Sequence, residues 1–282
     1  MKKLWRVLYP IAIYMGITMV ISVGSLLLIM VLTGVRMASG ADVDMDDALE
    51  IYNQCVLLIT MVSALVTLPL HLWLFKRDRI MRADVKNPWK CGKNWGFLIL
   101  LGIGACIAGN NLITLSGLDV LFQGYEAVSA GIFSNPMWFQ ILSVGIVIPI
   151  VEELTFRALG YRRLRDSMSF YWAAVISALC FGVFHGNVVQ GVYAFGLGYL
   201  MAWVYERYDS FAAPVLLHCT ANTVSVLLTM TALGEVFYHN TVTLWISTII
   251  MILLTAGCIR FITQRVTRRQ EIEETMYKEE DL

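Results

Sequence analysis

Apolar stretches long enough to cross a bilayer recur along this chain, and no other feature restricts its fold so strongly. They fall near 8–35, 51–75, 95–116, 137–161, 170–187, 190–206, 211–233 and 242–263. A helix needs roughly 20 apolar residues to span the hydrocarbon core. The pattern predicts an all-α, polytopic membrane helical bundle of about eight transmembrane helices, the fifth and sixth short and closely coupled. Composition agrees: 58% of residues are hydrophobic and 15% charged, against about half and about a quarter in soluble domains. The first run follows MKKLWR and is about twice the length of a signal-peptide core, so we read it as a retained helix.

Charge sets an expected orientation. With the N-terminus inside, the 21 lysines and arginines fall on inside segments, Arg36 excepted. The positive-inside rule then predicts that both termini are cytoplasmic in a multi-pass integral membrane protein, in the cell membrane if the chain is bacterial. The formal net charge is zero, so the bilayer is the expected partner and nucleic acid is not. Asp42, Asp44, Asp46, Asp47 and Glu50 make an acidic first outside loop, read as solvated, with metal binding a poor second. The final EIEETMYKEEDL reads as a solvated tail. Six scattered cysteines form no C-x-x-C pair and read as small buried hydrophobes.

Against this apolar background, residues 148–163 read IPIVEELTFRALGYRR. An ionisable residue in a span costs roughly 3 kcal/mol on insertion scales, so adjacent carboxylates call for an interior position and a partner. Glu153 and Arg157 lie four apart on one helical face and can pair, whereas Glu152 points about 100° away. The bland reading has Arg157 snorkelling to the interface and both glutamates in structural roles. Pro149 has no amide hydrogen, which predicts a kink and a freed carbonyl at Gly145. Later spans add FGVFH, with Phe181 and His185 on one face, and HCTAN, with His218 and Asn222 on one face. Measured along each helix, His218, Glu152 and Asn222 lie roughly 11, 15 and 17 Å deep and His185 roughly 22 Å. That last value is too deep for one site unless tilt or an earlier re-entry absorbs it. Ala194, Gly198 and Ala202, and Gly182 with Gly186, read as close-packing faces.

In order and spacing, EELTFR, FGVFH and HCTAN match E-E-x-x-x-R, F-x-x-x-H and H-x-x-x-N. Over residues 138–232 the chain thus resembles the CAAX protease and bacteriocin-processing family of intramembrane proteases. That family includes the type II CAAX prenyl endopeptidases and lysostaphin-resistance protein A-like proteins. Ala158 stands where many relatives have glycine. The resemblance divides the chain into N-terminal helices (1–137), a protease core (138–232), and a last helix with an acidic cytoplasmic tail (233–282). It implies that Glu152 and His185 activate a water, that His218 and Asn222 stabilise an oxyanion, and that Glu153, Arg157 and Phe181 support them. These residue types suit the chemistry: a carboxylate or imidazole moves protons, and imidazole and amide donors stabilise a tetrahedral oxyanion.

The expected activity is endopeptidic cleavage of a membrane-anchored peptide or protein, of CAAX type or bacteriocin-leader type. No cofactor is expected. The alternative is zinc on Glu152, His185 and His218, a three-ligand set with an open position, although H-E-x-x-H is absent. Two other classes compete: a proton-coupled transporter, since buried carboxylates and histidines also mark ion pathways, and a non-catalytic immunity or scaffold protein.

Overall fold

A computed structural model describes residues 2–84, 87–121, 134–238 and 240–266; the acidic tail at 271–282 lies outside them. The principal helices are α1 (Lys2–Ala38), α2 (Met45–Met81), α3 (Gly96–Ser116), α4 (Met137–Arg165), α5 (Phe170–Phe184), α6 (Val188–Tyr208), α7 (Ala212–Met230) and α8 (Thr241–Arg265). Seven of them are long and apolar enough to cross a membrane; α5, with 15 residues, is not. At 1.5 Å per residue α5 reaches about 22 Å, short of the roughly 30 Å hydrocarbon core.

Local chemistry sets several helix ends. Asp44 caps α2, its carboxylate accepting from the Asp46 and Asp47 amides at 2.8 and 3.1 Å, while Asp47 accepts from the Asp44 amide at 2.7 Å. Part of the acidic loop is therefore a capping box, which satisfies amides that a helix start leaves orphaned. Asn240 caps α8 in the same reciprocal way with Thr243.

Helix α1 packs on α2, α5 on α6, and α3 on both α7 and α8, while α4 touches α1, α2, α5, α6 and α7. Every residue of Leu154–Tyr161 is buried, so the helix carrying the glutamates is the centre of the bundle. One end of α4 is tied down by its basic residues. Arg163 Nε donates to Asp78 Oδ2 at 2.5 Å, Nη2 donates to the Tyr9 hydroxyl at 2.9 Å, and Nη1 donates to the Arg6 carbonyl. Arg165 Nη2 reaches Glu206 Oε1 at 2.9 Å, and Arg82 holds Asp166 with two bonds of 2.8 and 3.0 Å. These pairs join α1, α2, α4 and α6 at the end where positive charge clusters.

The expected disturbance at Pro149 takes a different form. Residues Ile141–Val147 and Leu154–Tyr161 adopt π-helical hydrogen bonding: the Ile148 amide donates five residues back to Ser143, and that of Arg162 to Arg157. In this register the carbonyl facing the proline nitrogen is Val144, five residues back, not Gly145. Asn222 Nδ2 on α7 donates to that Val144 oxygen at 3.0 Å. An orphan carbonyl inside the bundle is costly, and the side-chain amide offsets that cost.

Candidate active site

The two glutamates occupy different surroundings. Glu153 is fully buried, and its Oε1 accepts from Arg157 Nη1 at 2.9 Å and from His218 Nδ1 at 2.8 Å. Glu152 is 6% exposed and lines a cavity of about 600 Å³. His218 stands between them: with Nδ1 on Glu153, its Nε2 lies 3.7 Å from Glu152 Oε2. Glu152 thus has an imidazole neighbour that the helical geometry of α4 alone did not reveal.

Arg157 is fully buried, and its guanidinium lies 4.2 Å from the centre of the Phe181 ring. The same ring meets His185 and His218 edge-on, at centroid distances of 4.8 and 5.7 Å. Phe181 therefore fixes the relative placement of Arg157 and both histidines. Space for the guanidinium comes from Gly198, where a Cβ would stand 2.8 Å from Arg157 Nη2. Within the small-residue face of α6, Gly198 thus also makes room for a buried charge.

His185 is too deep for a continuous span, and the chain resolves this by turning early. Helix α5 ends at Phe184, Gly186 has φ +73°, and Asn187 caps α6 by accepting from the Gln190 amide at 2.8 Å. Gly186 is therefore a turn residue, which its positive φ requires, while Gly182 is the close contact, facing the Gly191 carbonyl. His185 Nδ1 lies 2.8 Å from the Phe181 carbonyl. A carbonyl only accepts, so Nδ1 carries the hydrogen and Nε2 is the basic nitrogen of the neutral ring. Glu152, His185 and Asn222 all line the 600 Å³ cavity, alongside apolar side chains such as Met15, Leu57 and Val226.

Several contributors were missed in the sequence. Tyr14 of α1 lines the cavity and stacks on Phe184 at 5.1 Å. His71 of α2 is buried behind the site, with Nδ1 2.9 Å from Thr155 Oγ1; that hydroxyl also lies 2.8 Å from the Val151 carbonyl. An ionisable residue in a span was the available signal for His71. Among the described residues no three His, Cys, Asp or Glu side chains are grouped to hold a metal ion. Glu152, His185 and His218 do not form a ready zinc site in this arrangement.

The comparisons with known proteins fall on the same region. A family model described as type II CAAX prenyl endopeptidase Rce1-like matches residues 134–224. The putative membrane peptidase YdiL of Bacillus subtilis is 28% identical over 133 residues, 47% of this chain and 53% of that protein. The membrane-embedded CAAX protease MroQ of Staphylococcus aureus is 23% identical over 235 residues, 79% of this chain and 88% of its own length. This chain is similar to CAAX proteases over residues 134–224, about a third of its length. It is a multi-pass integral membrane protein, and it spans about half the length of the first of these relatives. The segment matching the family includes Glu152, Glu153, Arg157, Phe181, His185, His218 and Asn222. No solved structure matches the chain significantly.

Proposed function

We propose that the protein is an intramembrane endopeptidase that cleaves a membrane-anchored peptide or protein with a water activated by Glu152 and His185, without a metal. The observation that carries this reading is the cavity of about 600 Å³ that Glu152, His185 and Asn222 share inside the bundle. Its mostly apolar walls suit an apolar segment of substrate.

In this reading a water between Glu152 and His185 Nε2 attacks the peptide carbonyl carbon, and its proton passes to the carboxylate. The carbonyl oxygen becomes an oxyanion. Protonated His218 donates to it from Nε2, since Nδ1 is committed to Glu153. Asn222 gives one amide hydrogen to Val144 and has a second for the oxyanion. Collapse breaks the C–N bond, and the proton on Glu152 goes to the leaving amine. Glu153 anchors His218 and neutralises Arg157, so it supports the chemistry without touching substrate.

The metal-free reading is favoured because no three-ligand group is assembled among the described residues. The test is cleavage of apolar membrane peptides by purified protein, with and without a chelator, beside His185→Ala. The reading expects chelator resistance and a loss of about 100-fold or more in His185→Ala, at the scale of general acid–base catalysis. Complete loss with chelator, or full activity in the variant, contradicts it.

A further inference from the structure

A second cavity, of about 440 Å³, lies between α3, α6 and α8, lined by residues such as Ala105, Leu112, Leu200 and Ile252. Two residues, Ile113 and Tyr193, line both this groove and the cavity that holds Glu152. Tyr193 is half-buried on α6 and faces Gly109 on α3. A Cβ at Gly109 would stand 2.5 Å from Tyr193 Cε2 and 2.9 Å from Cδ2, so the ring lies directly against the glycine backbone. The phenol ring is thus a partition one side chain thick between the Glu152 cavity and an apolar groove.

We propose that Tyr193, seated on Gly109, determines specificity by limiting the size of the substrate side chain that the Glu152 cavity admits. The proposal rests on the endopeptidase reading and deepens it. Removing the ring joins the two spaces of about 600 and 440 Å³, and the added volume is walled by apolar side chains. It would therefore admit a large apolar group rather than a charged one. Gly109 supplies the opposite perturbation. It lines the groove but not the cavity, so a methyl there drives the ring away from α3 and into the cavity that Glu152 lines. To regain an ordinary carbon–carbon contact the ring must move about 1 Å.

The test uses the full-length protein in liposomes and membrane peptides in which each position flanking the cleaved bond is Ala, Leu or Trp. Wild type is compared with Tyr193→Ala, Gly109→Ala and Tyr193→Phe. At one position, Tyr193→Ala raises the Trp-to-Ala ratio of kcat/KM by about tenfold or more, the scale at which a pocket discriminates apolar groups. Gly109→Ala lowers that ratio, and Tyr193→Phe, which keeps the ring, leaves it unchanged. The ratio compares substrates on one protein, so partial loss of folded enzyme does not move it. Equal ratios in all four proteins overturn the proposal. Fluorescence anisotropy of the same peptides bound to Glu152→Gln, alone and with each substitution, reads size selection without cleavage. Wild type that cleaves none of the peptides contradicts the endopeptidase reading, and the binding ratios then decide the role of Tyr193: a shift supports it and constancy overturns it.

Discussion

Replacing Arg157 by Met leaves Glu153 as a fully buried carboxylate that has lost its 2.9 Å partner. Breaking a buried ion pair from one side costs about 3–5 kcal/mol. His218 still donates to Glu153 at 2.8 Å, which places the loss near the lower figure, about 3 kcal/mol, or roughly 150-fold in the folding equilibrium. The double variant Arg157→Met with Glu153→Gln should recover most of this loss. Among the described residues, Arg157 Nε and Nη2 and Glu153 Oε2 have no hydrogen-bond partner. An incompletely bonded buried pair returns little of its desolvation cost, so a neutral replacement of similar volume is nearly even. Equilibrium unfolding in mixed micelles measures all four corners of the cycle. Additive losses, or a single-variant loss below about 1 kcal/mol, would refute this accounting. The double variant should fold and still cleave slowly, because the Glu153→Gln change weakens the 2.8 Å hydrogen bond that orients the His218 ring.

Other consequences can be measured separately. Gly198→Ala places a methyl 2.8 Å from Arg157 Nη2 and 3.2 Å from Phe181 Cδ1. Overpacking on this scale costs about 1–3 kcal/mol, read as a lowered unfolding midpoint, with cleavage slowed because Phe181 contacts both histidines; a wild-type midpoint and rate would contradict the tight fit. The expected orientation puts Cys91, in the α2–α3 connection, on the cytoplasmic side. A variant with Cys91 as its only cysteine should react with an impermeant maleimide in inverted vesicles and not in right-side-out ones. Burial pushes the Cys91 thiol above its ordinary pKa, and the thiolate is the reactive form. Its labelling rate should therefore keep rising with pH after that of an unperturbed thiol has levelled off; labelling from the outside would invert the topology.

Much of the bundle was legible because hydropathy over a bilayer-length window reports a solvent preference, which needs no knowledge of neighbouring helices. The Glu153–Arg157 pair was legible for a similar reason: a four-residue spacing is geometry internal to one helix. What escaped depended on contacts between helices. The π register of α4 moves the orphan carbonyl from Gly145 to Val144, and the partner of that carbonyl, Asn222, lies 78 residues away. His218 was placed in the site, but its bridge between the two glutamates depends on how α7 packs on α4. The turn at Gly186 carried a local signal in the Gly-Asn dipeptide. It was obscured by the apolar residues on both sides, which favour reading a longer span. The spacing around Gly198 indicates packing alone, because the sequence does not say which side chain lies opposite. His71 and Tyr14 gave no spacing pattern, and only the packing of α1 and α2 against α4 brings them to the site.

The central claim is the division of labour between adjacent carboxylates, and paired measurements on Glu152→Gln and Glu153→Gln test it most directly. The two variants are purified together, and each is assayed for unfolding midpoint and for cleavage rate on one membrane peptide. Glu152→Gln should keep the wild-type midpoint and lose at least about 100-fold in rate, because it removes the acid–base group and leaves the Glu153–Arg157 pair intact. Glu153→Gln should lose about 3 kcal/mol of stability, because Arg157 is then a buried charge without its counter-ion. Full activity in Glu152→Gln, or the same midpoint in both variants, would contradict the account.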